Sequence, residues 1–216
     1  MRTLAIGDIH GCYKALIALM GEVRPRPEDQ LVFLGDYVDR GPDSRAVLEL
    51  LAGQRKRNHT VFLRGNHEEM MLDARSDPLE ADLWRRNDGL QTLWSYGVEE
   101  SEDWGAAIPA SHWEFLEQTI PAFETAENIF VHACVDPQLD LKDQPGWLLY
   151  WEFFDRLQPH KSGKKIISGH SAQRSGRIKD VGFAACIDTA AVYGGWLTCL
   201  ANEEGQARAG RLGKNE

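Results

Sequence analysis

Three short blocks in the first third of the chain concentrate residues able to ligate metal or move protons. They are Gly7-Asp8-Ile9-His10-Gly11, Gly35-Asp36-Tyr37-Val38-Asp39-Arg40-Gly41 and Gly65-Asn66-His67-Glu68. Each follows an apolar run: Leu4-Ala5-Ile6, Leu31-Val32-Phe33-Leu34 and Val61-Phe62-Leu63. Carboxylate, imidazole and carboxamide groups are thereby placed at the carboxyl ends of buried strands, where open α/β sheets bind ligands. The glycines allow the chain to turn sharply and approach closely there. Two single histidines, in Val131-His132-Ala133 and Ser168-Gly169-His170-Ser171, follow further apolar runs. Oxygen and nitrogen donors gathered this way suit manganese, iron or zinc.

The elements that must carry these blocks alternate. Residues 13–20 are apolar at helical spacing and end near Arg24-Pro25, and Pro42-Asp43-Ser44 opens a second helix running to Gly53. Residues 60–63 read as a strand, followed by a helix starting near Glu68. Strand, helix, strand, helix, strand is a βαβαβ unit, with parallel pairing and right-handed crossovers. Residues 76–123 are helical and broken, carrying Trp84, Trp94, Trp104 and Trp113, which are expected to pack in the core and over the site. The acidic run 99–103 reads as a solvated loop. Strand-like runs resume at 128–132, 165–168, 184–187 and 195–200, suiting a second, mainly antiparallel or mixed sheet. The expected organisation is one domain over 1–202 and a polar, frayed tail over 203–216.

Composition narrows the class. With 216 residues, 43% hydrophobic and 26% charged, the chain has the make-up of a soluble globular domain with a sizeable core. No apolar run approaches the roughly 18–20 residues that span a bilayer. A formal net charge of −9 argues against nonspecific nucleic-acid or membrane-surface binding. It leaves phosphate binding open where metal ions and selected arginines reverse the local field. Cys12, Cys134, Cys186 and Cys199 form no C-x-x-C pair, so buried reduced thiols are expected rather than a zinc knuckle or a disulfide framework. The chain enters a strand directly after Met1-Arg2-Thr3, leaving no room for a signal peptide, and a cytoplasmic protein is expected. Oligomeric state is not legible.

In this order, and each after a strand, the blocks resemble the phosphoprotein phosphatase (PPP) family of metallophosphoesterases: GDxHG, GDxxDRG, GNHE and two later histidines. The resemblance covers about residues 2–188. It implies an α/β calcineurin-like sandwich, two mixed β-sheets packed face to face with helices outside and metals at the strand ends. It implies two divalent ions, with Asp8 and His10 on the first, Asp36 bridging, and Asn66, His132 and His170 completing the second. Manganese is expected, with iron and zinc as alternatives. Two such ions about 3.5–4 Å apart generate hydroxide and neutralise phosphoryl oxygens. His67 resembles the general acid, oriented by Asp39, and Arg40 the residue that grips nonbridging phosphate oxygens. Read singly, His132 and His170 would be core histidines, Asn66 a turn or helix cap, and Asp39-Arg40 a surface ion pair. The shared order outweighs those readings.

One departure bears on substrate. Many family members carry a second phosphate-gripping arginine shortly after a Leu-Trp pair, and this chain has Glu152 at about that position. Arg156 would substitute if the segment is helical, since i and i+4 share a face; Arg85, Arg86 and Arg174 are further candidates. The resemblance implies hydrolysis of protein phosphoserine or phosphothreonine, with phosphotyrosine or small phosphoesters as further substrates. The alternative is a symmetrical dinucleoside polyphosphate hydrolase of the Ap4A type. Those enzymes commonly lack the second aspartate of the middle block and end the third block with aspartate, whereas this chain has Asp39 and Glu68. A catalytically silent binding module is disfavoured because all six ligand positions are filled.

Overall fold

Successive residues of a strand face opposite ways, and most strands here are apolar on both faces, so each must be covered twice. The computed structural model describes residues 2–54, 59–99, 103–203 and 206–212. In it β1 (Thr3–Ile6) leads into α1 (Tyr13–Val23), β2 (Gln30–Phe33) into α2 (Ser44–Gln54), and β3 (Thr60–Phe62) into α3 (Asn66–Ala74). β1, β2 and β3 pair in parallel, the expected βαβαβ unit. Three helices follow, α4 (Pro78–Trp84), α5 (Leu90–Ser95) and α6 (Ala110–Glu117). α4 packs on α3, while α5 and α6 pack on α2. Between α4 and α5 the chain kinks at Asn87 and Asp88, the latter at φ +70°.

The second half supplies β4 (Ala122–Glu124), β5 (Asn128–Val131), α7 (Gly146–Trp151), β6 (Lys165–Ser168), β7 (Lys179–Asp180) and β8 (Ala184–Cys186), then β9 (Leu197–Glu203) and β10 (Gln206–Leu212). The two five-stranded sheets have the orders β10-β9-β1-β2-β3 and β4-β5-β6-β8-β7. Both are mixed, and the architecture is the expected two-sheet α/β sandwich. Ala5, Val32 and Leu34 from the first sheet meet Phe130, Ile167, Ala185 and Ile187 from the second in the layer between them. Their neighbours Leu4, Ile6, Leu31 and Phe33 face α1, α2 and the helices beyond. Ile129, Val131, Ile166 and Cys186 face Leu149 and Tyr150 of α7 on the other side. Burying one such side chain is worth about 1.5–3 kcal/mol, so the alternation fixes both register and layer order.

Four expectations need correction or restriction. The run at 195–200 does not join the second sheet: as β9 it pairs antiparallel with β1 inside the first sheet. The tail expected from 203 instead includes β10 over 206–212, which pairs antiparallel with β9. Its polar, glycine-containing sequence fits an outer strand that needs no two-sided cover. Trp84, Trp104 and Trp113 are buried, but Trp94 is 55% exposed. Glu99 and Asp103 are exposed, as a solvated loop requires, while residues 100–102 lie outside the described residues. Among the described residues, no helix is long and apolar enough to cross a membrane.

Because β1, β2 and β3 run parallel, as do β5, β6 and β8, their carboxyl ends collect the three blocks, His132, His170 and Asp188 along one edge of the sandwich.

Candidate active site

The backbone around the blocks is held in a form that ordinary residues avoid. His10, Asp36, Asp39, Arg40 and His170 all have positive φ, at +45°, +51°, +68°, +65° and +62°. Non-glycine residues in this region cost free energy and persist only where surrounding contacts impose them. Glu68 supplies much of that imposition. Its Oε2 accepts the Asp36 N–H at 2.7 Å and the Gly65 N–H at 2.9 Å, and its Oε1 accepts the Tyr37 and Val38 N–H groups at 2.7 and 3.3 Å. Burial and the nearby Asp36 push the Glu68 carboxyl up to about 8, against these donors, which favour the anion. The blocks must also approach closely. A Cβ on Gly65 would collide with the Asp36 carboxylate, and one on Gly169 with that of Asp8.

Asp36 stands at the centre. Its Oδ2 lies 3.2 Å from His10 Nε2 and its Oδ1 3.4 Å from His132 Nε2, so each oxygen faces a different half of the site. Donor atoms of His10, Asp36 and His67 lie within 4.8 Å of one another, as do those of Asp36, His132 and His170. Two backbone carbonyls set the imidazole tautomers: His10 Nδ1–H donates to Val38 O and His132 Nδ1–H to Leu34 O, each at 2.9 Å. Both rings therefore turn the Nε2 lone pair inward. His170 is reversed, its Nε2–H donating to Trp151 O at 3.1 Å and its Nδ1 facing inward.

The resulting arrangement calls for cations. His132 Nε2 and His170 Nδ1 lie 3.0 and 3.1 Å from Asn66 Oδ1, so acceptor lone pairs converge on one point. Asp8 Oδ2 accepts the His170 N–H at 2.9 Å, while Asp8 Oδ1 is buried without a hydrogen-bond partner. Burial, Asp188 and Asp36 raise the Asp8 carboxyl well above the usual range. Burial would raise Asp36 too, but the His132, His67 and His10 imidazoles hold it well below. Burial pushes His132 down to about 4 and lowers His170, keeping both available as neutral ligands. Buried carboxylates facing orphaned lone pairs are costly unless a cation compensates them. The donor set, all nitrogen and oxygen, therefore fits divalent metal.

Beside this cluster sits a dyad. His67 Nδ1–H donates to Asp39 Oδ2 at 2.8 Å, with both side chains almost fully buried. Trp84 Nε1–H donates to the same oxygen at 2.8 Å, and Thr92 Oγ1–H donates to Asp39 Oδ1 at 2.6 Å. The Asp39 N–H is received by Thr92 Oγ1 and Ser44 Oγ. Asp39 is thus fixed in place, and the His67 Nε2 edge is left free to exchange a proton. The His67 ring stands edge-on to His10 with centroids 4.7 Å apart.

The arginines divide. Arg40 enters the cluster, its Nη1–H donating to His10 Nε2 at 2.7 Å. Arg156 does not fulfil the helical expectation. α7 stops at Trp151, Glu152 and Phe153 are extended, and 154–156 form only a short turn that leaves Arg156 exposed. Glu152 bonds its own neighbour, accepting the Phe153 N–H at 2.9 Å. Arg85 pairs with Asp82 and Arg86 is exposed.

Three residues escaped the sequence reading. Asp188 is buried beside Asp8 and is itself raised by burial. Its signal was present, since it ends the apolar run at 184–187 as Asp8 ends Leu4-Ala5-Ile6-Gly7. Trp84 and Thr92 lie in the broken helical section, where nothing in their spacing points to Asp39.

Comparisons with known proteins identify the family. The sequence profile of the calcineurin-like phosphoesterase family matches residues 1–174. A relative described as serine/threonine-protein phosphatase 1, from Salmonella typhimurium, is 31% identical over 89% of this chain and 88% of its own length. A symmetrical bis(5'-nucleosyl)-tetraphosphatase from Pseudomonas fluorescens is 26% identical over 95% of this chain and 90% of its own. The solved structure of a serine/threonine phosphatase from Saccharomyces cerevisiae superposes with a TM-score of 0.71 at 17% identity, covering 100% of this chain and 81% of that one. That last likeness is one of fold.

Proposed function

The chain belongs to the calcineurin-like phosphoesterase family, and from that premise we propose that it is a protein serine/threonine phosphatase, with phosphotyrosine as a further substrate. Asp39 carries the proposal: it is the aspartate that symmetrical dinucleoside polyphosphate hydrolases commonly lack, and here it orients His67 at 2.8 Å. The Salmonella relative, similar over most of both chains, supports the same branch.

Asp8, His10, Asp36, Asn66, His132 and His170 would hold two divalent ions, manganese first by the oxygen and nitrogen character of the set. Such ions, when bound, lower the pKa of water and neutralise phosphoryl charge. The chain's own residues do the rest. Arg40 presents a planar fork to nonbridging phosphate oxygens. Asp39 holds the His67 ring with Nδ1–H toward it, so the proton on Nε2 is delivered to the leaving serine or threonine oxygen. Glu68 and the buried left-handed backbone hold the second and third blocks in register through the reaction.

A second reading, symmetrical hydrolysis of dinucleoside tetraphosphates, is favoured by the Pseudomonas relative's coverage of 95% of the chain. One panel separates the two: manganese-reconstituted protein assayed on phosphoserine, phosphothreonine and phosphotyrosine peptides and on Ap4A. The proposal expects higher kcat/KM on the serine and threonine peptides, with activity lost to chelator and restored best by manganese. Turnover of Ap4A alone would replace it with the second reading.

A further inference from the structure

Tyr193 lies in the short turn after Asp188 and is 45% exposed. Two arginines address its ring. The Arg174 guanidinium carbon stands 4.1 Å from the ring centroid and that of Arg40 stands 5.8 Å from it. Arg174 is four residues beyond His170, on the segment whose Gln173 N–H bonds Asp188 O at 2.8 Å. A second guanidinium is therefore anchored within about 10 Å of the one at the reaction centre, a bound set by those two ring distances.

The two arginines are not equivalent. Arg40 already contacts His10, and its Nε lies 3.7 Å from Asp88. Arg174 is exposed and, among the described residues, has no carboxylate partner. Stacking on an aromatic face limits the rotamers of a long side chain, so less ordering is needed when its fork meets an anion. Arg156, by contrast, is exposed and, among the described residues, stacks on no aromatic ring.

We propose that Arg174, shelved on Tyr193, forms a second anion subsite that takes a carboxylate side chain of the substrate next to its phosphorylated residue. This rests on the phosphopeptide reading above. Residues along an extended peptide are spaced by roughly 3.3 Å, so an acid one or two positions from the phosphoresidue falls within the span between the two guanidinium groups. The subsite also gives the substrate a cationic contact distinct from the one expected at Glu152.

The test uses two phosphoserine peptides that differ only in flanking glutamate or glutamine, assayed with the wild type, Arg174→Gln and Arg174→Lys. The wild type should prefer the acidic peptide by about fivefold in kcat/KM, the scale of an exposed charge pair. The preference should reside in KM and shrink with added salt. Arg174→Gln should erase it, and Arg174→Lys should restore part of it. A wild type that cleaves both peptides equally, or a preference that survives Arg174→Gln, overturns the subsite while leaving the phosphatase reading intact. Cleavage of Ap4A with neither peptide turned over overturns both.

Discussion

The first sheet delivers its site residues as neighbours in sequence, three blocks on three adjacent parallel strands, whereas the second delivers single residues on strands separated by long excursions. The physical support differs in the same way. Asp36, Asp39 and His67 are tied by Glu68, Trp84, Thr92 and Ser44 into one buried hydrogen-bonded unit. The His132 and His170 rings each donate to one backbone carbonyl, those of Leu34 and Trp151, and the His170 N–H adds one bond to Asp8. Around His170 the surface is open, with Phe153 64% and Trp151 42% exposed. The proton transfer proposed for His67 demands a fixed angle, which the tied half supplies.

Breaking the tied half should have the largest catalytic effect. His67→Asn is expected to lower kcat by about 10²–10⁴-fold on alkyl phosphates, the range of lost acid catalysis. Its metal content by elemental analysis should be unchanged. The loss should be smaller on p-nitrophenyl phosphate, whose leaving group needs no proton. Equal losses on both substrates would remove the acid from His67.

Trp84→Phe tests whether Asp39 needs its second partner. It removes one N–H from the carboxylate oxygen shared with His67, and kcat on alkyl phosphates should fall about tenfold, ~1.4 kcal/mol of barrier. KM should stay constant and p-nitrophenyl phosphate should again be spared. A matching loss on both substrates, with a lower Tm, would reduce Trp84 to packing.

The contrast between the halves also explains what the sequence could tell. Blocks of contiguous residues after apolar runs reveal both their strand and their position at its end, so the sequence alone puts Asp8, His10, Asp36, Asn66 and His67 at strand ends. His132 and His170 were legible through the glycine or apolar run before each of them. Contacts made across the fold leave no such trace. Trp84 reaches Asp39 from 45 positions away and Thr92 from 53. Arg156 shows the reverse failure: an i,i+4 argument presupposed a helix, and α7 ends at Trp151. The β10 strand was missed because an outer strand need not be apolar.

Arg156→Ala should accordingly leave KM for phosphopeptides within about twofold, the change expected of an exposed charge that no aromatic ring or helix face holds in place. A marked rise in KM would return Arg156 to substrate binding.

The smallest effect concerns the cysteines, two on each side of the sandwich. All four are buried and free, and burial pushes the Cys134 and Cys199 thiols up to about 12. The native protein at pH 8 should react negligibly with an aromatic disulfide reagent, and the unfolded protein should titrate all four thiols. Rapid labelling of Cys134 alone would mean that the open half breathes more than its packing allows.

The metal content of Asp36→Asn, measured by elemental analysis beside the wild type, tests the central claim most directly, because Asp36 is where the two halves meet. The wild type should hold two divalent ions per chain, and Asp36→Asn should lose both together with all activity while remaining folded. Retention of two ions by Asp36→Asn would contradict a single centre built jointly from the two sheets.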